Sequence, residues 1–297
     1  MSVLYVQLSG GLGNQMFQYA TSRALSLNSG VGLRVDAWSG FIRDQQYKRA
    51  YQLNRFPAPL QYANGVARAP LWTHRLFNRF LKKSSAFYEK HWYGDFYTEI
   101  DFKFESSLVS ARFQDPTWLL GYWQSPRYFE MHESLLQQEL MPPSPPHKNF
   151  LELGVKIRSC ESVAVGIRLY EESSHPASHA LHGKVKTVEH VNAALEKLCA
   201  ERPAAKVFVF CTHRSPLLQK INLPIDSMFV TPDDGYEDAL NCLWLMTQCK
   251  HHLFMNSSYY WWGAWLSQAV YQKENQLIYA ADNFINIDGI CPHWRRF

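Results

Sequence analysis

Residues 4–24, LYVQLSGGLGNQMFQYATSRA, pass from strand-like to helix-like character across a knot of three glycines. Leu4, Val6 and Leu8 alternate with Tyr5 and Gln7 in the period of two that a strand requires. After Asn14, the apolar residues Met16, Phe17, Ala20 and Ala24 fall at helical spacing. Gly10, Gly11 and Gly13 fill the turn between, where residues without a Cβ let main-chain N–H groups come close to a ligand. Asn14 is suited to cap the following helix, whose positive end then faces the same point. The stretch reads as the start of an α/β unit with an anion cradle at its mouth, although spacing alone leaves a plain tight turn equally open. The lysine and Ser/Thr of a Walker loop are missing, and the longer dinucleotide fingerprint is not met.

Working outward, Ser29-Gly30 stops the helix and Val31–Val35 reads as a second strand, which completes a βαβ start. Residues 40–115 are rich in aromatic and basic side chains but poorly periodic, and they read as a loop-rich insertion with helical pieces around 71–83. Strand character returns at Trp118–Tyr122, and Pro126 opens a helix running through Phe129, Leu135 and Leu136. The run MPPSPPH at 141–147 cannot continue a helix and predicts a stiff connector, so the boundary falls between domains 1–146 and 147–297.

The second half alternates strand and helix. Strands are expected at 162–169, 207–211, 228–230 and 253–255. Helices are expected over Val188, Val191, Leu195 and Leu198, across 237–249, and after residue 258. This alternation predicts a parallel sheet covered on both faces, with ligands at the carboxyl ends of its strands.

At 297 residues, with 46% hydrophobic and 19% charged, the chain is long enough for two compact domains. A net charge of +4 without a long basic block suits an anionic small molecule or membrane surface and argues against nucleic acid as partner. The six cysteines form no CxxC pair, so neither a zinc ribbon nor a disulfide framework is expected, only reduced thiols. No stretch has the layout of a signal peptide or the ~20 apolar residues of a membrane span. The aromatic share of 15% suits a carbohydrate enzyme, because flat sugar faces stack on indoles, though large aromatics more often fill cores.

The string SGGLGNQMFQYA resembles the opening motif of the bacterial α-1,2-fucosyltransferases, a family of inverting sugar transferases. GYWQSPRYF is similar to another string of that family. CKHHLFMNSSYYWWGAWL closely resembles its late motif, with Tyr260 where a serine is more usual. SVAVGIRLYEES occupies the place of the family's His-x-Arg-Arg-Gly-Asp-Tyr sequence, so that Arg168 matches the first arginine, while Gly166 stands at the histidine, Leu169 at the second arginine and Glu171 near the aspartate.

The resemblance implies an α/β fold of GT-B type, with two Rossmann-like domains facing a cleft, the second holding the nucleotide sugar. It further implies GDP-fucose as donor, a galactoside 2-hydroxyl in an oligosaccharide or lipid-linked glycan as acceptor, and neither metal nor cofactor. The protein is then expected to be bacterial and cytoplasmic, with peripheral contact to the inner membrane open to it. Donor contacts are expected from Gly10, Gly11, Gly13, Asn14, Gln15, Arg168, Asn256, Ser257 and Ser258, and from His213, which would replace some of the nucleotide contacts that the departures remove. Arg168 would clamp the β-phosphate, since its forked donors meet phosphate oxygens in pairs and it keeps its charge. The catalytic base is expected among Glu171, Glu172 and His175, a glutamate first, and Trp123 and Gln124 are expected to contact the acceptor.

Plainer readings stand beside these. Ser257 and Ser258 suit simple helix capping, Arg168 a surface ion pair, and Trp123 a core. His175, His179 and His182 have spacing that invites a metal, but no HExxH is present. Asp233-Asp234 reads as a turn rather than an ion-holding pair. A nucleotide-sugar hydrolase, a transferase with another donor and a non-catalytic glycan-binding protein remain open.

Overall fold

A computed structural model describes residues 2–42, 44, 48–80, 86–168, 185–271, 273–284, 286 and 288–297, with the side chains of 77–80 set aside. Glu171, Glu172, His175, His179 and His182 lie outside the described residues. The chain divides into two compact units, Met1–Glu139 and Leu140–Phe297, so the proline run belongs to the second.

The first unit contains β1 (Val3–Gln7), α1 (Leu12–Ser29), β2 (Gly32–Asp36), α2 (Gly65–Phe80), β3 (Tyr88–His91), β4 (Gly94–Thr98), α3 (Ser106–Val109) and β5 (Thr117–Leu120), with α4 (Glu133–Leu140) at its end. Its sheet has the order β2-β1-β5-β4-β3. All neighbours are parallel except the hairpin of β3 and β4. Gly30 closes α1 in a left-handed conformation (φ +70°) with its N–H on Ser26 O, the stop that the sequence predicts.

Two expectations fail in this unit. Residues 40–115 are not merely loop: they supply α2 and the β3–β4 hairpin, and β4 runs beside β5 inside the sheet. The pattern hides this because β4, GDFYT, buries only one large side chain, and α2 carries Pro70 within it and no acid in its first turn. That one side chain, Phe96, is the middle of a continuous aromatic stack. Tyr5 lies on Trp118 (ring centroids 5.0 Å), Trp118 on Phe96 (5.0 Å) and Phe96 on the His74 ring of α2 (4.1 Å). Pro126, in turn, opens only a 3-10 turn, Pro126–Tyr128, capped by Ser125, and a second such turn at Glu130–His132 precedes α4.

The second unit contains α5 (Lys148–Arg158), β6 (Ser162–Gly166), α6 (Val188–Glu201), β7 (Lys206–Phe210), β8 (Met228–Val230), α7 (Ala239–Thr247), β9 (His251–Phe254), α8 (Ser258–Ser267), β10 (Ile278–Ala280) and β11 (Arg295–Arg296). The order is β11-β10-β9-β6-β7-β8 and every neighbouring pair is parallel. Val163, Val165, Val209 and Leu253 pack against Val191, Leu195 and Leu198 of α6, which are the apolar positions that its spacing picks out. The strands β10 and β11, short and set in a loop-like sequence, are not anticipated.

The aromatic surplus is mostly structural. Trp261 and Trp262 of α8 are fully buried, and Trp261 packs on Trp262, Trp265 and Trp294 at 5.0, 5.9 and 5.3 Å. All six cysteines are free, and burial pushes the Cys242 thiol up to about 12. Among the described residues, no helix is long and apolar enough to cross a membrane.

Candidate functional site

In the second unit, β9, β6 and β7 are adjacent and parallel, so their carboxyl ends emerge side by side. Ile167 N donates to Phe210 O at 2.9 Å and Met255 N to Gly166 O at 3.1 Å, which fixes the register where the strands run out. Arg168 stands exposed two residues past β6. His213 lies exposed on the loop after β7, its Nδ1 3.2 Å from Thr212 Oγ1. Asn256, Ser257 and Ser258 follow β9 and open α8. One end of one sheet thus gathers Arg168, His213 and the Asn-Ser-Ser turn.

Ser257 is the N-cap of α8, yet its side chain makes no capping hydrogen bond. Its backbone carbonyl does the structural work, accepting from Trp261 N at 3.0 Å. Plain capping therefore does not explain this serine, and α8 begins with its positive end at the strand end where Arg168 also stands. Asp233 and Asp234 are engaged: Arg214 N donates to Asp233 Oδ2 at 3.2 Å, the Arg214 guanidinium pairs with Asp234, and Thr231 donates to Asp234 at 2.6 Å. The turn reading of that pair holds, with an ion pair added.

Two of the departures noted in the second unit, Gly166 and Tyr260, prove to be one. A Cβ at Gly166 would lie 2.5 Å from Cγ of Tyr260 and under 3 Å from both neighbouring ring carbons. The Tyr260 ring thus occupies the space that a side chain at 166 would need. Its hydroxyl donates to Ile167 O at 3.1 Å, directly before Arg168. A large residue at 260 and no side chain at 166 form one packing solution.

In the first unit, the carboxyl ends of β1, β5 and β4 likewise lie side by side. Here the structure corrects several expectations. The N-cap of α1 is Gly11, in extended conformation, and Asn14 sits inside the first turn, where its Oδ1 accepts from Gln124 Nε2 at 2.8 Å. Gly13 is a buried helical residue rather than part of the turn. Gly10 carries the left-handed bend (φ +73°). Gln15 is fully buried: its amide donates to Gly10 O and Ala50 O and accepts from Gln52 N, so it braces the loop from behind. Gln18 does the same, accepting from Ser9 N and donating to Gly121 O, both at 2.9 Å.

Trp123 and Gln124, expected at the acceptor, are 0% and 4% exposed and present no face to a sugar. Trp123 is buried as its core reading has it. Trp123 also takes a left-handed backbone (φ +56°), costly for a bulky residue, and its buried Nε1 has no partner among the described residues. What holds this turn is a residue that no local pattern singles out. Glu99, immediately after β4, accepts from Tyr122 N at 2.7 Å and from Trp123 N at 3.0 Å. Burial pushes its carboxyl up, and the two N–H groups pull it part of the way back. Glu99→Ala is expected to leave two main-chain N–H groups unpaired and to lower stability by about 2–3 kcal/mol, read from urea unfolding. An unchanged midpoint would mean that the strained turn holds without it.

Residues 77–285, more than two thirds of the chain, match the family described as Glycosyl transferase family 11. This chain belongs to that family. As a family 11 chain it is a nucleotide-sugar glycosyltransferase, and the matched span takes in Arg168, His213 and the Asn256–Ser258 turn, while the glycine loop lies before it. Among relatives, the family 11 chain is 28% identical over 275 residues to an alpha-1,2-colitosyltransferase of Escherichia coli, covering 90% of this chain and 88% of the relative. It is 23% identical over 290 residues to the O-antigen biosynthesis glycosyltransferase WbnK of Escherichia coli, covering 89% and 90%. Among solved structures, it is similar to the fucosyltransferase NodZ from Bradyrhizobium, with TM-score 0.51, 13% identity, and 88% and 91% of the two chains covered. The fold is of the GT-B type found in these glycosyltransferases.

Proposed function

We propose that the carboxyl end of the second sheet holds the diphosphate of a GDP-sugar and that the enzyme transfers L-fucose, or a close analogue, to the 2-hydroxyl of a galactoside with inversion. The observation that carries this reading is the side-by-side emergence of β9, β6 and β7, which brings Arg168, His213 and the start of α8 to one strand end. A guanidinium and the main-chain N–H groups of a helix start match a leaving diphosphate without needing a metal. In the transfer, the acceptor oxygen bonds to the anomeric carbon as the bond from that carbon to the diphosphate oxygen breaks. The acceptor proton passes to a base, for which Glu171, Glu172 and His175 remain the candidates. Positive charge already in place stabilises the departing diphosphate, so little reorganisation is required.

A second donor is favoured by the 28% identity to a colitosyltransferase, because colitose is fucose without its 3-hydroxyl. The test is to incubate the protein with GDP-fucose or GDP-colitose, with and without a galactoside. GDP release that requires the acceptor, with an inverted 1,2 linkage in the product, is the expected result. Release without acceptor identifies a hydrolase, and no release with either donor removes the reading.

A further inference from the structure

Where β3 meets α2, three side chains of metal-ligating type come together, two from the strand and one from the helix. Glu89 and His91 are two residues apart on β3 and so point to the same side, and His74 of α2 packs against that side. His74 Nε2 is 3.5 Å from Glu89 Oε1, and His91 Nε2 is 3.6 Å from Glu89 Oε2. One donor atom from each residue lies within 4.8 Å of the other two. Hydrogen bonds between such atoms run at about 2.7–3.2 Å. Neighbouring ligands around a tetrahedral ion with bonds of about 2.0–2.1 Å are instead about 3.3–3.4 Å apart. The two histidine nitrogens stand off the two Glu89 oxygens at 3.5 and 3.6 Å, longer than a hydrogen bond and close to the spacing of neighbouring ligands around an ion.

We propose that His74, Glu89 and His91 bind a divalent ion of the zinc class, with water at the remaining position. Imidazole and carboxylate without thiolate select Zn(II) and its first-row neighbours over Mg(II) or Ca(II). The ligands are held before an ion arrives. The His74 ring stacks on Phe96 at 4.1 Å and 4°, the His91 ring on Tyr93 at 5.1 Å and 15°, and the two imidazoles stand at 90° with centroids 5.5 Å apart.

The position assigns the ion a structural role. β3 is the edge strand, three strands from β1, or about 14 Å across the sheet. His91 pairs with Gly94 at the start of β4, the end of the sheet opposite the Gly10 and Glu99 turns. An ion here would pin α2 to the hairpin and guard an exposed edge.

The test uses the full chain after chelation and dialysis, titrated with Co(II) while d–d absorbance is recorded, and with Zn(II) while the melting temperature is followed. Saturation at one equivalent and a rise in melting temperature of several degrees are expected. Glu89→Gln and His91→Gln, which conserve volume, should abolish the band and the shift while leaving the far-UV spectrum unchanged. The triple variant His175→Ala, His179→Ala, His182→Ala should keep both. Absence of a band, a band that survives both β3 variants, or one that disappears in the triple variant instead would overturn the assignment.

Discussion

Arg168→Ala is expected to lower kcat/KM for the GDP-sugar by about 10²–10³-fold, the loss of about 2.7–4 kcal/mol that follows removal of one preorganised charge-stabilising donor. Arg168 is exposed two residues past β6, so the substitution empties no core. Arg168→Lys should recover only part of the activity, because an ammonium keeps the charge but not the paired geometry. Steady-state kinetics on both variants, with thermal melts as control, decide the matter. If the surface ion-pair reading of Arg168 were correct instead, kcat/KM would stay within a factor of two or three of wild type.

Gly166→His is expected to be severely destabilising on its own, and Tyr260→Ser likewise, while the two together should be much less so than their sum. A side chain at 166 must displace a ring whose Cγ lies 2.5 Å from the new Cβ, and that ring is anchored through its hydroxyl to Ile167 O. Overpacking of this kind costs about 1–3 kcal/mol or more. Removing the ring costs about 3–5 kcal/mol for the cavity it leaves. Residues in direct contact couple by about 0.5–3 kcal/mol, and here the coupling should approach the upper end, since each change vacates or fills what the other alters. Urea unfolding of the four proteins measures it. Strictly additive effects would mean that the two positions are independent and that the absence of a side chain at 166 needs another explanation.

This pair shows where the sequence is legible and where it is not. Gly166 and Tyr260 are 94 positions apart along the chain, and each looks like a separate departure until the fold puts one against the other. The strands of the second unit announce themselves because all-buried parallel strands such as VFVF have no polar interruptions, and α6 because its apolar stripe is regular. β4 escapes because its burial rests on one phenylalanine in an aromatic stack, a contact that no local pattern encodes. Arg168 is picked out by the family motif it matches, and the Asn256–Ser258 turn also by a strand followed by a cap, which is a local signal. Glu99 could not, since what makes it matter is a pair of N–H groups more than twenty residues away. Asn14 misled for the opposite reason: the helix starts two residues earlier, on glycines that the eye assigns to the loop.

The indoles packed beneath the Asn256–Ser258 turn have a practical consequence. Trp261, Trp262, Trp265 and Trp294 lie close enough, at fixed and mostly crossed orientations, for their transitions to couple. The near-ultraviolet dichroism of the second unit should therefore be dominated by a single rigid chromophore group seated at the root of α8. An occupant of that helix start that shifts this group would be registered optically, with no label attached.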